Sequence, residues 1–528
     1  MAAHTDMASL LSTAKAMLEG ANLSDPERQV LVGVGSPALP EVVATAIEAV
    51  RAGGDPLGEA FCRINNAESR RGQGQTFTPD DVVLGMFAWV KRQRNAICRL
   101  VDPGAGTGRY TMAGLRAFPK AKAVAVEMDP TVAVLLRANL VAAGLADRAT
   151  VLVGDFRDLT LEPCEGATLF CGNPPYVRHH DIGAPWKDWY TRTLARFNLN
   201  GSQLAGLHLH FFLKTKELAV PGDLGCFVTA AEWLDVNYGQ SLRQMLMNGL
   251  GGEDVFVADP RLRVFDDAMV SAAITGFAPG SKRTGLRFKA VQSADDLKTL
   301  PEGESIALET LRVEPRWSIL VKGGRTERRE GYVELGEYFQ VSRGQVTGLN
   351  RVWVASADAP VLPDSYLVPS ITDATDITAA PAHEISKLDG LRRVVSLPRE
   401  LDALAPWDKT SVQAFLAWAR VFGADQTYIA KHRKPWWHVH LREPAPVVMT
   451  YMGRRPPVFA YNKAGAKLIN IAHGLYPRQQ IGVLAMRNLV SWLNQNVRQD
   501  AGRVYAGGLT KFEPGEAMRI MIPQGLLQ

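Results

Sequence analysis

Between Gln73 and Gly280, six short apolar runs alternate with helix-patterned stretches. This alternation restricts the fold more than any other feature of the chain. The runs are AICRLV, KAVAVE, ATVLVG, ATLFCG, LGCFVTA and AAITGF, and the stretches between them include PTVAVLLRANLVAAGL. Strands separated by helices call for a doubly wound α/β sheet.

At 528 residues the chain is too long for one core. The expected division is an N-terminal helical segment over 1–65, an α/β catalytic domain over 66–280, a polar connecting segment over 281–335 and a mixed α+β domain over 336–528. In the first segment, PALPEVVATAIEAVRAGG reads as a proline-started, glycine-ended helix. In the last, IGVLAMRNLVSWLNQNV reads as a helix. No apolar stretch approaches the roughly 20 residues of a membrane span, and no signal-peptide core opens the chain. The five cysteines form no CxxC pair. That usage suits a reducing cytoplasm and offers no zinc site, so no metal is expected.

Chemistry concentrates at the predicted strand ends. RLVDPGAGTGRYT places an aspartate and three alternate glycines between a strand and a helix. Glycines there permit a tight turn and close approach of a ligand. The spacing is neither that of dinucleotide binders nor that of a phosphate loop. The next strand ends in Glu127, which can accept from two ribose hydroxyls, and Asp129-Pro130 reads as a helix cap and first turn. The third is followed by Asp155 and Phe156: an acceptor for an exocyclic amine and a ring for a purine face. Singly, each acid is more often a helix cap or a solvated loop tip. Three in series make a nucleoside site.

After the fourth strand comes NPPY, Asn173 to Tyr176. Taken in order, DPGAGTG, VEMDP, GDF and NPPY resemble the S-adenosylmethionine-dependent amino-methyltransferases. GQGQTFTPDDVV upstream resembles the segment preceding the glycine loop in gamma-ordered DNA adenine-N6 methyltransferases of type II restriction–modification systems. The resemblance implies a Rossmann-like methyltransferase domain followed by a target-recognition domain, with S-adenosylmethionine as cofactor. It implies that Thr76, Phe77 and Thr78 touch the methionine end and that Asp102, Gly104 and Gly106 hold it from below. It also implies that Glu127 takes the ribose, with Met128, Asp155 and Phe156 around the adenine.

In that chemistry the amine lone pair is delocalised into the base, so the nitrogen is a poor nucleophile. Accepting both of its N–H bonds from one side favours a pyramidal nitrogen whose lone pair faces the methyl donor. The Asn173 side-chain oxygen and the Pro174 carbonyl are the two acceptors, and the prolines stiffen them. Tyr176 offers a stacking face for a base flipped out of the duplex. The resemblance places Phe265 against the other face of that base, a core phenylalanine being the alternative. Arg178 and His179 are candidates for the backbone of the flipped nucleotide, with solvated loop residues as the alternative.

Three further features bear on the chemistry. Pro163-Cys164 is similar to the nucleophile of carbon-5 cytosine methyltransferases but reads as a loop cysteine. His208 and His210 have the spacing of one strand face, although core or helix packing is the better account of them than metal binding. From Glu337 onward, 22 Lys and Arg stand against 15 Asp and Glu. That surplus suits either a solvated basic face or a polyanion-binding surface. Arg343, Arg454, Arg455, Lys463 and Lys467 are candidates for phosphate or base-edge contacts. Tyr428, Trp436 and Trp437 are interleaved with basic residues, and core packing explains the tryptophans equally well.

The expectation is a site-specific adenine-N6 methyltransferase acting on double-stranded DNA, paired with a separate restriction endonuclease. Its rivals are RNA-base, protein-glutamine or cytosine-N4 methylation by the same chemistry, and a non-catalytic DNA-binding subunit.

Overall fold

The computed structural model describes residues 4, 6–35, 37–65, 78–94, 96–259, 262, 264–265, 271–322, 331–504 and 509–527. The chain forms two compact units, Met1–Thr326 and Glu327–Gln528.

Among the described residues, the first unit is built on nine strands: β1 Arg99–Pro103, β2 Lys122–Glu127, β3 Ala149–Val153, β4 Thr168–Gly172, β5 Leu224–Ala230, β6 Gly252–Ala258, β7 Ala272–Phe277, β8 Gly285–Val291 and β9 Glu304–Ala307. Their order in the sheet is β3-β2-β1-β4-β5-β7-β6-β8-β9. β3, β2, β1, β4 and β5 are mutually parallel, and β7 runs antiparallel to both β5 and β6. All six sequence-predicted strands are present.

Side chains alternate between two cores. Leu100, Leu169, Cys171, Cys226 and Val228 face one apolar cluster, shared with the N-terminal helices. Val101, Phe170 and Phe227 face the other. Both faces are covered, so the strands read as continuous apolar runs. On the second face the Phe227 ring meets Phe212 at 5.1 Å and Phe277 at 5.6 Å, both edge-on.

The N-terminal stretch is helical, and Pro40–Arg51 is one of its helices, as its proline and glycine ends predict. It packs on the helix Pro130–Ala142, which Asp129 caps by accepting from the Thr131 N–H at 2.8 Å. The expected connector over 281–335 is corrected. β8 pairs parallel to β6, and β9 extends that edge. β8 is only partly buried, with Arg287, Lys289 and Ala290 half-exposed, and most of β9 is exposed. An edge of this kind carries too little apolar sequence to stand out from a linker.

The second unit has a four-stranded antiparallel sheet of Phe339–Arg343, Ala472–Pro477, Val447–Thr450 and Phe459–Tyr461. The helix Val483–Asn496 packs Met486, Leu489, Val490 and Leu493 into its core. A second core gathers Trp353, Val394 and Val395 against the helix Pro406–Val421.

Candidate active site

Chain order reverses between β1 and β4, and open α/β sheets bind ligands outside the carboxyl ends of the strands at such a switch point. A cavity of about 720 Å3 lies there. Its floor is the glycine turn. Gly104, Gly106 and Gly108 take φ of +72°, +55° and +95°, conformations that residues with a Cβ rarely adopt. Their surroundings differ. A Cβ on Gly106 would project into open space, whereas one on Gly108 would lie 2.3 Å from Leu136 Cδ1. Gly106 therefore keeps the cavity open, and Gly108 lets the turn pack on the next helix.

Asp102, inside β1, is wholly buried behind the turn. Its Oδ2 accepts from the Thr111 hydroxyl at 2.6 Å, while Oδ1 has no hydrogen-bond partner among the described residues. Burial pushes its pKa up to about 7, against the pull of the Thr111 hydrogen bonds. Glu127 closes β2. Its Oε2 accepts from the Gly106 N–H at 2.9 Å and its Oε1 from the Asp129 N–H at 3.0 Å. Those bonds aim the carboxylate and leave a second lone pair on each oxygen. Burial raises the Glu127 pKa, and the same N–H groups oppose the rise.

Phe156 is buried with its ring 5.0 Å from Phe211, and both line the cavity. Met128, largely exposed, stands at the rim. Asp155 departs from expectation: its carboxylate caps the turn at Arg157 N–H and accepts from the Arg157 guanidinium at 2.5–3.1 Å. The acceptor capacity foreseen for an exocyclic amine is taken up inside the protein. That Arg157 guanidinium lies 3.8 Å from the centre of the Trp186 ring, which also lines the cavity.

Asn173 follows β4 directly and faces the same cavity. Its Nδ2 donates to the Thr78 hydroxyl at 3.0 Å, which turns the two amide atoms into distinct donor and acceptor ends. Pro174 is buried, and Tyr176 is tied through its hydroxyl to the Val228 carbonyl at 3.4 Å.

Six sequence-predicted residues thus line one cavity with Asn173: Thr78, Gly104, Gly106, Glu127, Met128 and Phe156. Asp155 lines it as well. Thr76 and Phe77 lie outside the described residues. Phe265 is buried in the core shared with the N-terminal helices, which corrects its assignment to the base; it is absent from the lining, as are Asp102, Pro174 and Tyr176. Arg178 is exposed and His179 half-buried, and neither reaches the cavity. His208 and His210 lie on the helix Leu207–Leu218, so their spacing is not that of a strand. His210 stacks on Tyr190 at 4.4 Å. Burial lowers both pKa values, to about 4 for His208 and about 3 for His210. Cys164 is an exposed thiol, in keeping with a loop cysteine.

Sequence reasoning missed Arg109, Arg157, Trp186 and Phe211 in the lining. Arg109 directly follows the glycine turn and Arg157 directly follows Phe156, the local cues among them.

In the second unit acidic neighbours stand beside Arg343, Lys463 and Lys467. Arg343 bonds Glu513, Lys463 lies 3.7 Å from Glu384, and Lys467 lies 3.1 Å from Glu443. Arg454 and Arg455 are exposed. Trp436 and Trp437 pack against the core around Trp353, whereas Tyr428 is exposed and its ring lies 4.2 Å from that of His432.

The fold and site define the first unit as a Rossmann-like domain of the S-adenosylmethionine-dependent methyltransferase class. Two family models match: "Eco57I restriction-modification methylase" over residues 168–251 and "Type II methyltransferase M.Eco57I, C-terminal domain" over residues 324–528. The chain is 48% identical over 469 residues to type II methyltransferase M.XamI of Xanthomonas campestris pv. amaranthicola, covering 89% of this chain and 87% of that one. It is 23% identical over 503 residues to type II methyltransferase M.AccI of Acinetobacter calcoaceticus, covering 88% of each. The cryo-EM structure of a DrdV–DNA complex has a similar fold, with a TM-score of 0.54 at 13% identity over 90% of this chain and 58% of that chain. This chain belongs to the type II methyltransferases of restriction–modification systems.

Proposed function

We propose that the protein transfers the methyl group of S-adenosylmethionine to N6 of an adenine flipped out of duplex DNA. The observation that carries this reading is Asn173, set at the carboxyl end of β4 with its amide oriented by Thr78 and facing the cavity that Glu127 and the glycine turn also line.

The residues fit the cofactor. Asp102 brings a buried carboxylate oxygen with no partner among the described residues, the complement of an ammonium. Glu127 brings two aimed oxygens for a ribose diol, and Phe156 and Phe211 bring rings for a purine. When bound, S-adenosylmethionine supplies an electrophilic methyl on a sulfonium. The protein then has to accept, orient and stack the base. The Asn173 oxygen and the Pro174 carbonyl accept the amine protons. Tyr176, held by Val228, stacks on the ring. No strong base is required, because the amine proton becomes acidic only as the bond to carbon forms.

DNA as substrate is supported by the family and by the DNA in the DrdV complex of similar fold. Within the second unit, Arg454, Arg455 and the segment 427–442 suit a DNA face. That segment holds Lys431, Arg433, Lys434 and Arg442 and no acidic residue. The fitting biological role is protection of host DNA from a partner endonuclease.

The test is mass-spectrometric nucleoside analysis after incubation with isotopically labelled S-adenosylmethionine. Unmethylated duplex DNA, bulk RNA and cell protein are offered separately. Label in N6-methyladenine from DNA supports the reading. Label in N4-methylcytosine, RNA or glutamine refutes the substrate.

A further inference from the structure

We infer that Asp55, from the N-terminal helical segment, is a positioning residue for methyl transfer, acting through Arg109 and Thr78 on the Asn173 amide. This rests on the methyltransferase reading above and extends it to a residue some 120 positions from the motif.

Asp55 is 5% exposed, yet its carboxylate is fully engaged. Oδ1 accepts from the Gly58 N–H at 2.9 Å, as the cap of the helix Pro56–Ile64, and from Asn139 Nδ2 at 3.0 Å. Oδ2 accepts from the Thr107 hydroxyl at 2.5 Å and from Arg109 Nε at 3.0 Å. A helix cap needs one of these bonds. The other three gather the last residues of the glycine turn, the start of the helix Arg109–Ala117 and the helix Pro130–Ala142 onto one buried anion. A Cβ on Gly58 would fall 2.1 Å from Asp55 Oδ2 and 2.6 Å from Thr107 Oγ1. The absence of a side chain there is what leaves room for the cluster.

The cluster is wired to the reaction centre through Arg109 and Thr78. With Nε on Asp55, the Arg109 guanidinium turns its Nη1 to the Thr78 carbonyl at 2.7 Å. Thr78, 3% exposed, points its hydroxyl at Asn173 Nδ2, 3.0 Å away. Displacing Arg109 releases the Thr78 carbonyl, and with it the hydroxyl that sets the Asn173 amide. Misplacement of a reacting group by about 1 Å can cost on the order of a hundredfold in rate. Asp55 is not among the residues lining the cavity, and its influence on the Asn173 amide passes through Arg109 and Thr78.

The experiment uses the full-length protein in two measurements. In the first, asparagine is selectively labelled with 15N and the Asn173 side-chain amide signal, identified by its loss in Asn173→Asp, is followed in the protein without cofactor. It should shift in Asp55→Asn and in Thr78→Val and stay in place in Thr78→Ser, which keeps the hydroxyl. In the second, single-turnover methyl transfer is measured for Asp55→Asn, Thr78→Val and the double variant. Each single change should lower the rate by about tenfold or more. Residues acting through one route are non-additive, so the double variant should be no slower than the slower single one.

An unmoved Asn173 signal in Asp55→Asn overturns the inference. So does a double variant whose loss is the product of the two single losses, which is the pattern of independent structural damage. If the amide signals behave as expected while the wild type transfers no label to any acceptor, the positioning stands and the methyltransferase reading falls.

Discussion

Asp102 makes the most demanding prediction, because one carboxylate pulls two measurable quantities in opposite directions with pH. In the free protein its pKa is pushed up to about 7 by burial, from 3.8 for an unburied aspartate. A carboxyl whose folded pKa is raised binds its proton more tightly in the native state, so its contribution to stability is present at low pH and lost as pH rises through about 7. The difference of about 3 units corresponds to an upper limit on the order of 4 kcal/mol of destabilisation above pH 7. Asp102→Asn, which carries no charge, should therefore be more stable than the wild type at pH 8 and lose that advantage near pH 4.

Ligand affinity runs the other way. The ionised carboxylate is the form that holds an ammonium, and with a pKa of about 7 it is roughly nine-tenths populated at pH 8 and one-tenth at pH 6. The Kd for S-adenosylhomocysteine, measured by calorimetry, should rise about tenfold between pH 8 and pH 6 and be nearly flat above pH 8. Glu127, also raised by burial, adds a slope of the same sign, so the variant is decisive. Asp102→Asn should bind more weakly at pH 8 and lose most of the slope. A wild-type Kd independent of pH, or a full slope surviving in Asp102→Asn, would refute the assignment.

Three other outcomes are expected. Asn173→Ala should keep S-adenosylhomocysteine affinity within about threefold while transfer falls a hundredfold or more, as when one preorganised acceptor of a transition state is removed; near-normal turnover would take Asn173 out of the mechanism. Gly108→Ala, forced onto Leu136 at a positive φ, should lower the melting temperature sharply, whereas Gly106→Ala should chiefly weaken ligand binding, since its Cβ enters open cavity; thermal melts and titrations separate the two. In the second unit, Arg455→Ala should reduce the slope of log affinity for duplex DNA against log salt by about 0.9 if it meets a phosphate, and Lys467→Ala by less, because Glu443 already pairs with that lysine.

Much of the site is written locally. A strand end is announced by the residues that stop it, so Asp102, Glu127, Asp155 and Asn173 each stand beside a turn signal of their own: glycine, Asp-Pro, Gly-Asp, or the double proline. Strands such as β1, β4, β5 and β7 are apolar because both faces are covered, and that too shows in a window of a few residues; β6 is as well buried but carries Glu253 and Asp254, and it does not show. β8 and the edge strand β9 do not show, since strands half-covered or bare need no apolar run.

The roles of individual polar groups were not legible in the same way. Asp155 sits where its turn says it should, but whether its oxygens face a ligand or Arg157 depends on a guanidinium fixed by Trp186 some thirty residues on. Phe265 resembles a base-stacking aromatic in sequence and is core in space. Arg343, Lys463 and Lys467 look alike as surface cations until Glu513, Glu384 and Glu443 are brought beside them.

The sequence by itself determined the doubly wound sheet and the placing of its chemistry at one edge, because the strand and helix periods and their breakers act over a few residues. Only the tertiary structure decided which of those groups are spent on the protein and which are left for a ligand. It also brought Asp55 to Asn139, 84 residues away, to build the cluster behind the glycine turn. A hydrogen bond between distant segments constrains the two residue types only once they meet, so nothing in the neighbourhood of either residue announces the other.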